Sequence, residues 1–147
     1  MNEIEKNIKV LAEQLDNSLE KKDIEEILGY FSPNCRIKLL DYTLVGHKGV
    51  RKWLDWMFSW IDSMKFEPIV ILVQENIFFE EFIVNATTKK GIVIKSRQSE
   101  TLVYDGDKVV ELRLYFDPLD LAIKVVNNPI EKRILGFLRK KITSGLT

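Results

Sequence analysis

From Asp107 to Pro118 the chain reads Asp-Lys-Val-Val-Glu-Leu-Arg-Leu-Tyr-Phe-Asp-Pro. Glu111, Arg113, Tyr115 and Asp117 recur at every second position, so a strand would carry all four on one face. That set offers a carboxylate base, a guanidinium that grips oxyanions and a phenol that donates to developing negative charge. Pro118 cannot donate to a ladder, so the strand should stop at Asp117. The expectation is Asp117 as a general base, Tyr115 as a hydrogen-bonding partner and Arg113 as a substrate-orienting group. The bland alternative is a solvated ion-pair ladder worth under about 1 kcal/mol per pair.

The three tryptophans, Trp53, Trp56 and Trp60, fall on one helical stripe. Aromatics at helical spacing are usually core, and Trp53 reads that way. Trp56, nearest the polar boundary, is the better candidate for a pocket or an interface, with Trp60 beside it as a second stacking wall for a flat apolar ligand. Glu80 and Glu81 are adjacent in a strand-like run, so only one of them can face inward. Cys35 and His47 are the one cysteine and the one histidine, and no third group is evident to orient them as a nucleophile pair. No His/Cys cluster points to zinc and no glycine-rich loop to a nucleotide, so neither a metal nor a cofactor is expected.

These residues need elements to hold them. Ile4, Ile8, Leu11 and Leu15 give residues 3–20 the period of an amphipathic helix. Asp23 with Glu26 is a capping box before a shorter helix striped by Ile24, Ile27, Leu28 and Phe31. Ser32-Pro33-Asn34 breaks it. A short strand over Cys35–Leu40 and a loop or second short strand over Asp41–Gly46 follow. A third helix is expected from about Gly49 to Met64. Its apolar positions fill an arc of about 200°, twice that of an ordinary surface helix, so it should touch two apolar surroundings. Strands are expected over Glu67–Asn76, Ile77–Thr87 and Gly91–Tyr104. The Asp105-Gly106-Asp107 turn joins the last of these to the reactive strand, with two, three or four residues in the loop. Pro118–Val126 suits a short helix. Asn128-Pro129-Ile130-Glu131 then caps a last amphipathic helix striped by Ile130, Ile134, Phe137 and Leu138.

Helices first and strands later argue for α+β, with a strongly curved, mostly antiparallel sheet wrapped around the third helix. The 147 residues suit one domain, with 128–147 as a C-terminal helical extension. Lys plus Arg and Asp plus Glu number 22 each, and a zero net charge gives no reason to expect nucleic acid or an acidic membrane surface. The basic residues of the tail helix, Lys132, Arg133, Arg139, Lys140 and Lys141, read as a solvated face. The longest uncharged run, Ile27–Cys35, is far short of the ~20 residues of a membrane helix. A lone cysteine and an acidic N-terminus suggest a cytoplasmic protein.

Three stretches resemble the nuclear transport factor 2-like superfamily and, within it, SnoaL-like proteins. They are Lys22-Asp23 before a helix ending Tyr30-Phe31-Ser32-Pro33-Asn34-Cys35; Gly46-His47-Lys48-Gly49-Val50 opening the third helix; and Asp105-Gly106-Asp107-Lys108-Val109-Val110 running into Arg113-Leu114-Tyr115-Phe116-Asp117. Together they span about Leu11 to Ala122. The Tyr-Phe-Asp ending is most similar to limonene epoxide hydrolases and SnoaL-type cyclases. The resemblance implies a cystatin-like cone, a homodimer and an aspartate base at Asp117. It also implies a weaker candidate at Asp41, placed roughly where ketosteroid isomerase relatives carry a catalytic aspartate. Two departures stand out. The Arg-x-Asp of the epoxide hydrolases is missing from Phe79-Glu80-Glu81-Phe82-Ile83-Val84-Asn85, and the cyclases' strand histidine has no counterpart, since His47 precedes the third helix. The expected function is binding of a small hydrophobic molecule in an apolar pocket, with isomerase, cyclase or hydrolase chemistry through Asp117. The alternative is a non-catalytic dimeric ligand-binding or protein-interaction module of the same fold.

Overall fold

The structure is a computed structural model describing residues 1–147, and it divides into two compact units, Met1–Phe116 and Asp117–Thr147. The division falls at Phe116, ahead of the boundary expected at Asn128.

The first unit begins with α1 (Glu3–Lys21), started by a reciprocal capping box between Asn2 and Glu5 and ended by Lys22 at φ 57°. Ile8, Ala12, Leu15 and Leu19 form its buried stripe. Asp23 caps α2 (Ile24–Gly29) by accepting from the Glu26 amide. Then come β1 (Phe31–Leu39), β2 (Tyr42–Val45), α3 (Gly46–Trp60), β3 (Ile61–Gln74), β4 (Ile77–Thr88), β5 (Val93–Asp105) and β6 (Lys108–Tyr115).

The six strands form one sheet in the order β2-β1-β6-β5-β4-β3. All neighbours are antiparallel except β1 and β6, which run parallel. The unit is therefore α+β with a mixed, mostly antiparallel, open sheet.

Strand parity sets the inner face. Phe78, Glu80, Phe82, Val84 and Ala86 of β4 are buried, as are Ile94, Ser96, Glu100, Leu102 and Tyr104 of β5. Of these, Phe78, Leu102 and Tyr104 join buried residues of α1 and α3 in the core. Gly49 lets α3 sit close to β2: a Cβ there would lie 2.7 Å from the carbonyl carbon of Leu44.

Several boundaries move from the sequence expectation. Phe31 leaves the α2 stripe and opens β1, where its ring meets Trp53 edge-on at 6.4 Å. The Ser32–Asn34 break appears as an irregularity in the β1–β6 pairing between Phe31 and Arg36. Helix α3 starts three residues early and ends at Trp60, so Ile61 and Met64 are buried strand residues instead.

The Asp105–Asp107 hairpin resolves to a two-residue loop, with Asp105 opposite Lys108, and a bulge follows because Tyr104 pairs with Val109 but Val103 with Glu111. The bulged residue, Val110, drops out of the alternation. The apolar face of β6 is therefore Val109, Leu112 and Leu114. It faces the core.

The second unit holds α4 (Pro118–Val125) and α5 (Pro129–Ile142), each with proline in its first turn. Neither has a buried residue, and Ile130, Ile134 and Phe137 of the α5 stripe are exposed. No helix of either unit is long and apolar enough to cross a membrane.

Candidate functional site

The reactive row of β6 is held on the outer face of the sheet. Glu111 is its centre: Arg113 Nη1 donates to Oε1 at 2.6 Å and Lys38 Nζ lies 3.3 Å from Oε2. Desolvation pushes the Glu111 carboxyl up, but the hydrogen bonds and charges of Arg113 and Lys38 outweigh it and hold it below its ordinary value. The guanidinium expected to orient substrate is thus tied to its own strand. Tyr115 is more than half exposed.

Asp117 opens the second unit as the N-cap of α4. One carboxylate oxygen accepts from the amides of Leu119 at 2.9 Å and Asp120 at 3.1 Å, and the side chain is exposed. The sequence pattern that marked a base, Asp-Pro after a strand, is also the pattern of a helix cap followed by proline. Asp41 lies in the β1–β2 turn, exposed. His47 Nε2 donates to the Phe31 carbonyl at 2.9 Å, and burial pushes the Cys35 thiol up, so nothing activates that thiol as a nucleophile.

Two hollows lie near the end of β1. One, of about 390 Å³, is lined by Leu39, Leu40, Tyr42 and Leu44 from the hairpin and by Lys52, Trp53 and Trp56 from α3. The other, of about 330 Å³, is lined by Lys38, Leu39, Leu40, Arg113, Leu114, Tyr115 and Phe116. Leu39 and Leu40 belong to both. The first is mostly apolar; the second carries two cations and a phenol. Trp56, Arg113 and Tyr115, distant in sequence, therefore gather around one turn. Trp60 does not line either hollow, but its ring meets Trp56 edge-on at 6.2 Å.

A third set of groups was not foreseen. Asp16 of α1, Glu80 of β4 and Glu100 of β5 come together on the inner side of the sheet, with carboxylate oxygens all within 4.8 Å of one another. Glu80 and Glu100 are buried and Asp16 partly so. None of the chain's salt bridges involves them.

Desolvation first, then neighbouring acids, pushes their pKa values up, to about 9 for Asp16, about 8 for Glu100 and about 7 for Glu80. Tyr104, on the same face of β5, has a buried hydroxyl with no hydrogen-bond partner. Burial, then the charges of Glu100 and Asp16, pushes that phenol up as well. Such a cluster can hold protons, or it can hold a cation. A signal for it lay in the sequence: Glu80 and Glu100 stand at inward positions of alternating strands, where an unpaired acid is rare.

No curated protein matches the chain. Solved structures do. A nuclear transport factor 2-like protein of unknown function from Burkholderia pseudomallei is 14% identical, with 82% of this chain and 98% of that one covered at a TM-score of 0.75. A candidate SnoaL-like polyketide cyclase from Jannaschia is 11% identical, with 88% and 98% covered at 0.79. SalBIII, an epoxide hydrolase/cyclase-like enzyme in pyran ring formation in the polyether salinomycin, is 13% identical, with 79% and 95% covered at 0.70. At these identities the likeness is one of fold. The profile of the SnoaL-like domain matches residues 12–112, from the middle of α1 to the centre of β6, and the chain belongs to the SnoaL-like family.

Proposed function

We propose that the chain binds a small, largely apolar molecule across the two neighbouring hollows beside the β1–β2 turn. One observation carries this reading: the apolar hollow walled by Trp56 and the polar hollow holding Arg113 and Tyr115 share Leu39 and Leu40. Sites of this kind combine apolar walls with a few convergent polar groups, and the volumes suit a small ligand. The apolar body of the ligand lies against Trp56, Tyr42 and Leu44. Its polar or acidic end reaches Arg113 and Lys38, competing with Glu111 for them. We take the chain to act in the cytoplasm as a homodimer, with the exposed stripe of α5 as the self-association surface.

The Asp117 carboxylate is engaged as the cap of α4, so the binding reading stands ahead of the isomerase, cyclase or hydrolase reading. A catalytic version would need a base at the hollow, and Asp41, next to the shared Leu40, is the candidate. The test is a panel of aromatic carboxylates followed by tryptophan fluorescence. We expect saturable quenching that Trp56→Ala weakens at least tenfold and Arg113→Gln weakens for acids but not for their amides. Equal binding by wild type and Trp56→Ala would refute the site.

A further inference from the structure

We propose that Asp16, Glu80 and Glu100 form a binding site for a hard divalent cation, with the Tyr104 hydroxyl as an additional oxygen donor. This goes beyond ligand binding at the β1–β2 turn and uses other elements: α1, β4 and β5.

The first support is geometry. Oxygens coordinating Ca²⁺ sit about 2.3–2.6 Å from the ion, so ligands across such a shell stand at most about 5 Å apart. The three carboxylates fall inside that limit without rearrangement, all within 4.8 Å. The second is charge. Buried acids are normally paired with Lys, Arg or a metal, and no salt bridge reaches these three. The third is independent of the acids. The Tyr104 hydroxyl is enclosed, 2% exposed as a residue, and bonds to nothing. It lies within electrostatic reach of Glu100 and Asp16. An enclosed hydroxyl without a partner costs free energy that a bound ion with its water would recover.

An all-oxygen set favours Ca²⁺, Mn²⁺ or Mg²⁺ over zinc or copper, which prefer nitrogen and sulfur. The acids come from residues 16, 80 and 100, so no ligand spacing was visible along the chain.

The test uses the full chain, stripped with chelator and titrated with CaCl₂ or MnCl₂ in a calorimeter. Binding of one ion per chain with a rise in Tm is expected. Glu100→Gln and Glu80→Gln should each weaken it at least tenfold, and Tyr104→Phe several-fold, while Asp62→Asn, an exposed acid outside the cluster, should not change it. Two independent cluster variants keep the test open if one fails to fold. No heat and no Tm change at millimolar Ca²⁺, Mn²⁺ or Mg²⁺ would overturn the proposal. So would binding that survives both glutamine variants, which would place the ion on surface acids. Fluorescence titration with aromatic carboxylates in the stripped protein reads the other site separately.

Discussion

Glu80 and Glu100 are direct cross-strand neighbours on the inner face of the sheet, paired in register between β4 and β5. Like charges opposite each other destabilise a sheet, and burial adds to the cost. The fold keeps these acids protonated well above the usual carboxylate range, to about 7 and about 8, with Asp16 at about 9. A raised folded-state pKa contributes stability that is complete below the unfolded value, near ~4, and is lost as pH rises through the folded value. The chelator-treated chain should therefore lose stability steadily from about pH 4 to about pH 9. Urea melts across that range check it. Glu100→Gln should flatten the decline; a wild type equally stable at pH 6 and pH 9 would contradict it.

Asp117 is predicted to matter for α4, not for ligand. Asp117→Ala removes an acceptor for two amides and should cost that helix about 1 kcal/mol, while Asp117→Asn, another good cap, should cost far less. Hydrogen exchange at Leu119–Leu121 measures this. Ligand affinity should be the same for all three proteins.

The long elements were legible because each carries a strong period. The α1 stripe, the capping residues Asp23 and Asn128 and the alternation of β4 and β5 are local signals, and they set fold class; the strand order, with β1 parallel to β6, rests on long-range pairing that no local pattern carries. Boundaries failed where two local patterns compete. Ile61 and Met64 continue the α3 stripe, yet β3 pairs with β4 all the way to Thr88 and claims them. Phe31 failed in the same way. The bulge at Val110 was invisible because loop length alone does not fix register. Among the candidate residues, Trp56 and Arg113 stood out by their place on an element and by charge, and Asp117 by its place at a strand end; that Asp117 caps α4 was hard to see because a strand-end carboxylate and a helix cap share one sequence. The acidic cluster stayed hidden because α1 meets the sheet only in three dimensions.

Glu111 gives a prediction of opposite sign. Arg113 and Lys38 hold its pKa down, so its contribution is present above the unfolded value and fades as pH falls through the folded one. The partners are partly exposed, so Glu111→Gln should cost under about 1 kcal/mol. It should also strengthen binding of acidic ligands by releasing Arg113. Thermal melts and the fluorescence titration check the two effects. A weaker affinity in Glu111→Gln would argue that Glu111 itself touches ligand.

Self-association should reside in α5. Ile130 and Phe137 are 70% and 65% exposed in the single chain. With this apolar stripe exposed, removing the helix should improve solubility. A chain ending at Val126 should fold, because Met1–Phe116 is compact by itself. Light scattering at micromolar concentration should give a dimer for the full chain and a monomer for the truncated one. A full-length monomer, or a truncated dimer, would contradict this assignment.

The shared hollow at Leu39 and Leu40 is tested most directly by nitrogen–proton correlation spectra during titration with 1-anilinonaphthalene-8-sulfonate, an aromatic body bearing one anion. The three tryptophan indole signals report separately. Saturable shifts are predicted for the Trp56 indole and for the backbone amides of Leu40 and Arg113, with little change at residues of α5. Absence of saturation up to millimolar probe, or shifts confined to α5, would contradict a ligand site at the β1–β2 turn.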